Sequence, residues 1–218
     1  LMFSLPIACT LILQSFYNMA DTLIIGNFVG DTAMGAVGTA GTVSSVLLML
    51  VYGLSTGMGV VVSQFIGAKD YKNLQDSVHT AMSLAGIGGI VLTIAGLLLS
   101  PFILQWLRVP QEIFELSVSY IRIYFISILP MVLYNMGSAI LRAYGDAKRP
   151  LIYLASGAIL NVFLDWLFVA VFSWGVAGAS WATTISQTLS AVLIVVHLFS
   201  TKREYRIHLK RLRIHKKQ

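Results

Sequence analysis

The sequence predicts an all-α membrane protein, a six-transmembrane-helix bundle, and three observations carry that expectation. Hydrophobic residues make up 57% of the 218 and charged residues only 11%, against about 25% charged in an ordinary globular domain. Mean hydropathy is +0.80. No Asp, Glu, Lys or Arg occurs between Asp31 and Lys69, between Asp76 and Arg108, or between Asp165 and Lys202. Each of these windows is longer than the roughly 20 apolar residues that cross a bilayer core. There is too little charge here to cover a water-facing surface.

The spans follow in order. The first covers about 1–25, the second about 32–66, the third about 77–106 and the fourth about 114–141. The apolar stretch over 151–200 would be roughly 75 Å as one helix at 1.5 Å per residue, more than twice a core of about 30 Å. It must fold back, and Ser173, Trp174, Gly175 and Gly178 are its only turn-like cluster. A fifth span over about 151–172 and a sixth over about 176–200 result. Residues 1–200 thus form the lobe and residues 201–218 a basic tail.

Positive charge orients the bundle. Lys69, Lys72, Arg142, Lys148, Arg149 and the eight basic residues after Ser200 fall on one side, thirteen of the fifteen. The positive-inside rule makes that side cytoplasmic, with both ends of this chain facing it in a cell membrane. The net charge of +6 is therefore no sign of nucleic-acid binding. The tail reads equally as a solvated linker or as an amphipathic helix lying on an anionic leaflet. The single Cys9 excludes an intrachain disulfide and a Cys-based metal site. No phosphate-cradling G-x-x-x-x-G-K-[ST] loop occurs. With Leu1 in place of Met and an apolar span beginning at once, the chain reads as a piece of a longer product.

Ionisable groups inside a span cost at least about 2.5 kcal/mol on insertion scales and mark function by default. Asp21 lies late in the first span and Asp165 well inside the fifth, neither with a Lys or Arg in its own span. Counted from the outer turns, Asp21 sits about 7 Å deep, Asp165 about 12 Å, and Thr183 and Thr184 about 10–12 Å. Asn161 precedes Asp165 by one helical turn and shares its face. If the first, fifth and sixth spans are neighbours, two carboxylates, an amide and a hydroxyl converge. Two carboxylates in one dry site need a proton or a cation between them, so the set suits a shuttled proton or Na⁺, with no other cofactor.

Other features carry plainer expectations. His79 and His197 read as interfacial. Gly53-x-x-x-Gly57 with Gly59, and Gly35, Gly38 and Gly41, read as sites of close helix packing. Pro130 is expected to kink the fourth span. Trp106, Trp166, Trp174 and Trp181 fit an outer-interface belt.

Four stretches resemble one family. Leu5-Pro6 leads into N-M-A-D-T at Asn18–Thr22, and G-A-K-D occupies Gly67–Asp70. L-R-A-Y-G-D-A-K-R-P runs over Leu141–Pro150, and L-N-x-x-L-D over Leu160–Asp165. The chain resembles the multidrug and toxic-compound extrusion (MATE) family, over its first six-helix lobe. Ala143 stands where the signature commonly has Gly. Trp166 stands where many members have Pro, which implies a straighter fifth span. The resemblance implies a twelve-helix fold of two lobes, of which the second is missing from this chain. It also implies a cation site at Asp21, Asn161, Asp165 and Thr183, with Tyr120 close by; Asn18 and Thr184 are further candidate neighbours.

The expected function is a lobe of an H⁺- or Na⁺-coupled antiporter that exports amphipathic, often cationic, organic compounds by alternating access. No enzyme activity is expected. Its partners are small organic substrates, membrane lipid and the second lobe. Two rivals are weighed: a lipid-linked precursor flippase, disfavoured by spans almost free of Arg and Lys, and an intramembrane aspartyl protease, for which Asp146 sits in a charged loop.

Overall fold

The computed structural model describes residues 4–208, and among these no strand occurs. Helices α1 (Ser4–Phe28), α2 (Asp31–Gly67) and α3 (Tyr71–Trp106) are followed by α4 (Gln111–Ile126) and α5 (Ile128–Ala143). Then come α6 (Lys148–Asp165), a π-helical segment (Trp166–Val171) and α7 (Gly175–Ser200). The helices α2, α3, α6 with its π segment, and α7 are each long and apolar enough to cross a membrane, and α4 with α5 passes as one bent span. The 25-residue α1 has that length too, about 37 Å. The chain is a multi-pass membrane bundle.

The fourth span is broken where the sequence carries its proline. α4 and α5 meet at Ser127 with a 42° bend, three residues before Pro130. Proline has no N–H for the carbonyl four residues back, here Ile126, and its ring crowds that carbonyl. Pro101 inside α3 produces no such break. Its missing bond leaves the Leu97 carbonyl free, and the Ser100 hydroxyl donates to it at 3.3 Å.

α3 begins six residues earlier than its apolar stretch. Asp70 caps it by accepting the Asn73 N–H at 3.2 Å and the Asn73 side-chain amide at 2.6 Å. These bonds hold the Asp70 carboxyl below its ordinary range, the backbone bond first. Hydropathy marks where a helix can cross lipid, whereas the cap fixes where it starts. The helices α2, α3 and α5 end alike. Lys69, Arg108 and Gly145 adopt positive φ, and the next N–H reaches back to Phe65, Leu104 and Leu141 at 3.0, 3.2 and 2.9 Å.

The fifth span runs unbroken over Lys148–Val171, with a change of pitch at Trp166. α-Helical winding stops at Asp165 and a wider π turn takes over, with Phe172 N–H bonded to the Leu167 carbonyl at 2.9 Å. Pro-free sequence keeps the segment hydrogen-bonded but does not dictate its pitch.

α5 lies at the centre against α2, α3 and α7, α6 packs on α7, and α1 leans on α6. Of the expected packing glycines, Gly59 faces Ala139 and Gly35 faces Ile113 at ordinary contact distance, but the closest approaches lie elsewhere. A Cβ at Gly96 would overlap the Phe125 ring and one at Gly157 the Ser190 hydroxyl, whereas Gly38, Gly41, Gly53 and Gly57 have nothing within 4 Å. The spacing of those glycines is helical, but their faces are open. Cys9 on α1 is partly exposed, and the four tryptophans present large exposed faces.

His79 is buried in the lobe, and the tail explains it. Residues 201–208 are not helical; they fold back on the lobe and bury Tyr205 and Ile207 at 1% and 2% exposure. The leaflet-bound helix is therefore not formed over 201–208, because its apolar residues reach protein first. Residues 209–218 lie outside the described part.

Candidate functional site

The site forms where α1, α6 and α7 meet. Asp21 stands two turns before the end of α1, Asn161 and Asp165 one turn apart on α6, and Thr183 two turns into α7. Asn161 and Asp165 are 0% exposed, Thr183 4% and Asp21 7%. The Thr183 hydroxyl donates to Asp21 Oδ2 at 3.3 Å. The Asp165 carboxyl group neighbours that of Asp21, and Asn161 lies against both. The structure thus brings together Asp21, Asn161, Asp165 and Thr183.

Few of the polar atoms in this cluster are satisfied. Asp21 Oδ1, both Asp165 oxygens and both polar atoms of Asn161 are buried without a hydrogen-bond partner among the described residues. A buried unpartnered polar group costs about 1–3 kcal/mol, and more if charged. No ammonium or guanidinium forms an ion pair there; the one ion pair among the described residues joins Arg149 to Asp146 at 2.9 Å, in the α5–α6 connection. Four side chains with hard oxygens, two of them carboxylates, fit a hard cation or a shared proton. No group of three His, Cys, Asp or Glu that could hold a metal occurs among the described residues, so a cation here would rely on the amide and hydroxyl oxygens as well.

Of the candidate neighbours, Tyr120 on α4 is buried, with its hydroxyl in electrostatic reach of both carboxyl groups. Its carbonyl accepts from the Ser180 hydroxyl at 2.9 Å, which fixes α4 against α7. Thr184 does not join the cluster. Its hydroxyl donates to the Ser180 carbonyl at 2.8 Å and to the Ile123 carbonyl at 3.3 Å, knitting α7 to α4. Adjacent residues on a helix point about 100° apart, so depth alone could not separate Thr183 from Thr184. The Asn18 side chain lies outside the described residues.

Asp21 and Thr183 also line a cavity of about 580 Å³, within the usual range for small-molecule sites. Among the described residues that line it, Asp21 alone is charged. Tyr52, Tyr120, Tyr124 and Tyr134 supply aromatic faces, and Asn135 and Ser186 add polar atoms farther along the lobe. Most of these were not singled out from sequence. The spacing Tyr120, Tyr124, then Tyr134 and Asn135 across the bend was the available signal, a polar-aromatic stripe on an otherwise apolar span. Gly38 and Gly41 line the same cavity, which accounts for their open faces.

Comparison with known proteins agrees with this architecture. Residues 6–167 match the family described as MatE. A Bacillus subtilis protein named "Probable multidrug resistance protein YpnP" is 35% identical over 189 residues, covering 87% of this chain and 42% of its own. "Multidrug export protein MepA" of Staphylococcus aureus is 24% identical, covering 95% and 46%. The outward-facing structure of a multidrug resistance MATE family transporter of the MOP superfamily superimposes with a TM-score of 0.91 at 28% identity, covering 98% of this chain and 48% of that one. The chain spans about half the length of the relatives it matches. With that family match over most of its length, a common fold and a membrane bundle of half the relatives' size, the chain belongs to the MATE family.

Proposed function

We propose that this chain is one lobe of a cation-coupled antiporter that exports amphipathic, often cationic, organic compounds by alternating access. The observation that carries the reading is the buried Asp21–Asp165 pair opening onto a tyrosine-lined cavity with no basic residue in its lining. The names of the relatives, multidrug resistance and export proteins, support the same substrate class.

The coupling step follows from electrostatics. Two carboxylates in contact repel each other strongly where water is excluded, and a proton or Na⁺ between them removes that repulsion. Asp21 belongs to α1 and Asp165 to α6, so an arriving ion draws α1 toward α6 and reshapes the cavity wall that α1 supplies. An ion shifts such an equilibrium only by its differential affinity for the two shapes. Bound substrate with a cationic centre competes for the same negative charge at Asp21, which makes ion entry and substrate exit opposed events. The second lobe, membrane lipid around the bundle and a cytoplasmic location for both ends of this chain complete the proposal.

The flippase reading is disfavoured by the lack of Arg and Lys in the cavity lining. The protease reading is disfavoured because Asp146 spends its carboxyl on Arg149 and Asp165 is fully buried.

The test uses vesicles holding the full-length protein. A fluorescent organic cation should be moved against its gradient when either a Na⁺ gradient or a pH gradient is imposed, and the effective gradient names the ion. Asp165→Asn is expected to lower coupled transport by at least about a hundredfold, the scale of losing a group essential to the cycle, with the melting temperature retained. Unchanged transport in that variant would remove Asp165 from the mechanism.

A further inference from the structure

The chain does not leave the lobe where α7 ends. After Ser200 it turns back, and the Ile207 N–H donates to the Leu198 carbonyl at 3.0 Å. The Arg206 guanidinium donates through Nε to the Phe199 carbonyl at 3.0 Å. Both carbonyls lie in the last turn of α7, where intrahelical donors run out, so the segment acts as that helix's cap. The Tyr205 ring is buried edge-on against Tyr144 with centroids 4.5 Å apart, and its hydroxyl lies 3.5 Å from His197 Nε2. The Tyr144 hydroxyl in turn donates to Glu204 at 3.3 Å. These contacts tie the segment to the end of α5 as well as to α7.

The far end is held by α3. The His208 backbone N–H donates to His79 Nε2 at 3.0 Å, and the two imidazole rings stack with centroids 6.2 Å apart and planes 10° from parallel. The other ring nitrogen of His79, Nδ1, stands 2.7 Å from the Gln75 carbonyl. One nitrogen must accept and the other donate, and only the neutral imidazole protonated at Nδ1 does both. His79 thus works as a two-sided connector between the backbone of α3 and the backbone of the tail. This explains a fully buried histidine near the start of α3, and it assigns a task to residues that the cavity and the carboxyl pair leave unused.

We infer that residues 201–208 are a clamp that locks the ends of α3, α5 and α7 together through His79, Tyr144 and Leu198. A segment that merely linked two bodies would expose its apolar residues and leave its amides to water. This one buries two and bonds its last two amides to two different helices. A pull applied at His208 is then delivered to three helix ends at once. The delivery of movement rests on the transporter reading; the clamp itself does not.

The experiment has two arms. In the first, hydrogen exchange is followed in the full-length protein in detergent, on peptides covering 201–208. The wild-type amides of Ile207 and His208 should exchange at least about tenfold slower than an unstructured chain, as expected for bonded, locally folded backbone. His79→Leu removes the acceptor and should release His208 by about tenfold. His79→Gln places an amide oxygen near the position of Nε2 and should restore most of the protection. Ile207→Asp, which leaves α3 untouched, should free the segment even if His79→Leu perturbs the lobe. Exchange of wild-type 201–208 at the unstructured rate, or equal protection in all variants, overturns the clamp.

In the second arm, vesicle transport by His79→Gln and Ile207→Asp is compared with wild type. The freed clamp should lower kcat for efflux at least about fivefold with KM for the organic cation unchanged, while His79→Gln stays near wild type, because positioning of helix ends affects the cycle and not the cavity. Altered exchange with unaltered kcat would refute the delivery of movement and leave the clamp standing. Absence of any transport by the wild type counts against the antiporter, a result distinct from both.

Discussion

Asp165 is the residue on which stability and activity pull apart. Its carboxyl is fully buried beside a second carboxyl, with neither oxygen hydrogen-bonded among the described residues, and a buried group in that state costs several kcal/mol if charged. Asp165→Asn removes the repulsion and leaves a neutral side chain of the same shape. The expected result is a melting temperature equal to or above wild type, together with loss of the rise that the coupling ion gives wild type on binding, about 2.7 kcal/mol at a hundred times its dissociation constant. Thermal scans in NaCl against KCl, and across pH, check this. Thr183→Val should cost about 1 kcal/mol, the worth of its bond to Asp21, and weaken the same ion response. In the sequence, the pairing of Asn161 with Asp165 was legible because one helical turn separates them. The rejection of Thr184 was not, because nothing local says which side of α7 meets α1 and which meets α4.

Among the elements, the helix pair α3 and α4 shows how much backbone proximity matters. Gly96 faces the Phe125 ring so closely that any Cβ would overlap it. Gly96→Ala is therefore expected to destabilise by about 1–3 kcal/mol through overpacking, whereas an alanine at Gly53, with nothing within 4 Å, should be neutral or mildly stabilising by helix propensity. Melting of the two variants side by side measures the difference. The sequence pointed to Gly53 by its spacing and not to Gly96, and only the partner across the gap separates them. Charge-free windows made the spans legible, and Pro130 made the bend legible. The π turn after Asp165 carries no comparable residue signature, and the start of α3 at Tyr71 was hidden by polar residues that are good in helices but poor in lipid. The Asp70 cap that fixes this start has a carboxyl held below its ordinary value of 3.8 by the Asn73 bonds. Its contribution is complete above that value and fades as pH falls through the lower folded value, so fraying of the first turn of α3 belongs only to strongly acidic conditions.

At the scale of the whole molecule, one cavity organises the bundle: α1 and α2 form one wall, α4 and α5 another, α6 and α7 the third. Gly38 and Gly41 keep the α2 wall thin. Gly41→Leu should narrow the cavity, since the position has nothing within 4 Å of its Cβ and lines the open space. Binding of bulky organic cations is expected to weaken by about tenfold or more, the weight of one misplaced side chain in a pocket, with small cations little affected; equilibrium binding of a size series to detergent-solubilised protein reads this out. The helical membrane bundle was legible because apolar length and turn residues are local. The cavity was not, because it is the space left by faces whose partners are distant in sequence.

Within this chain the one thiol, Cys9, lies on the same helix as Asp21, about 18 Å along its axis, and it is partly accessible. A maleimide dye attached there would ride on α1 with no engineered cysteine, so any tilt or slide of that helix on ion arrival becomes a change in fluorescence. This lobe carries its own attachment point for a spectroscopic readout.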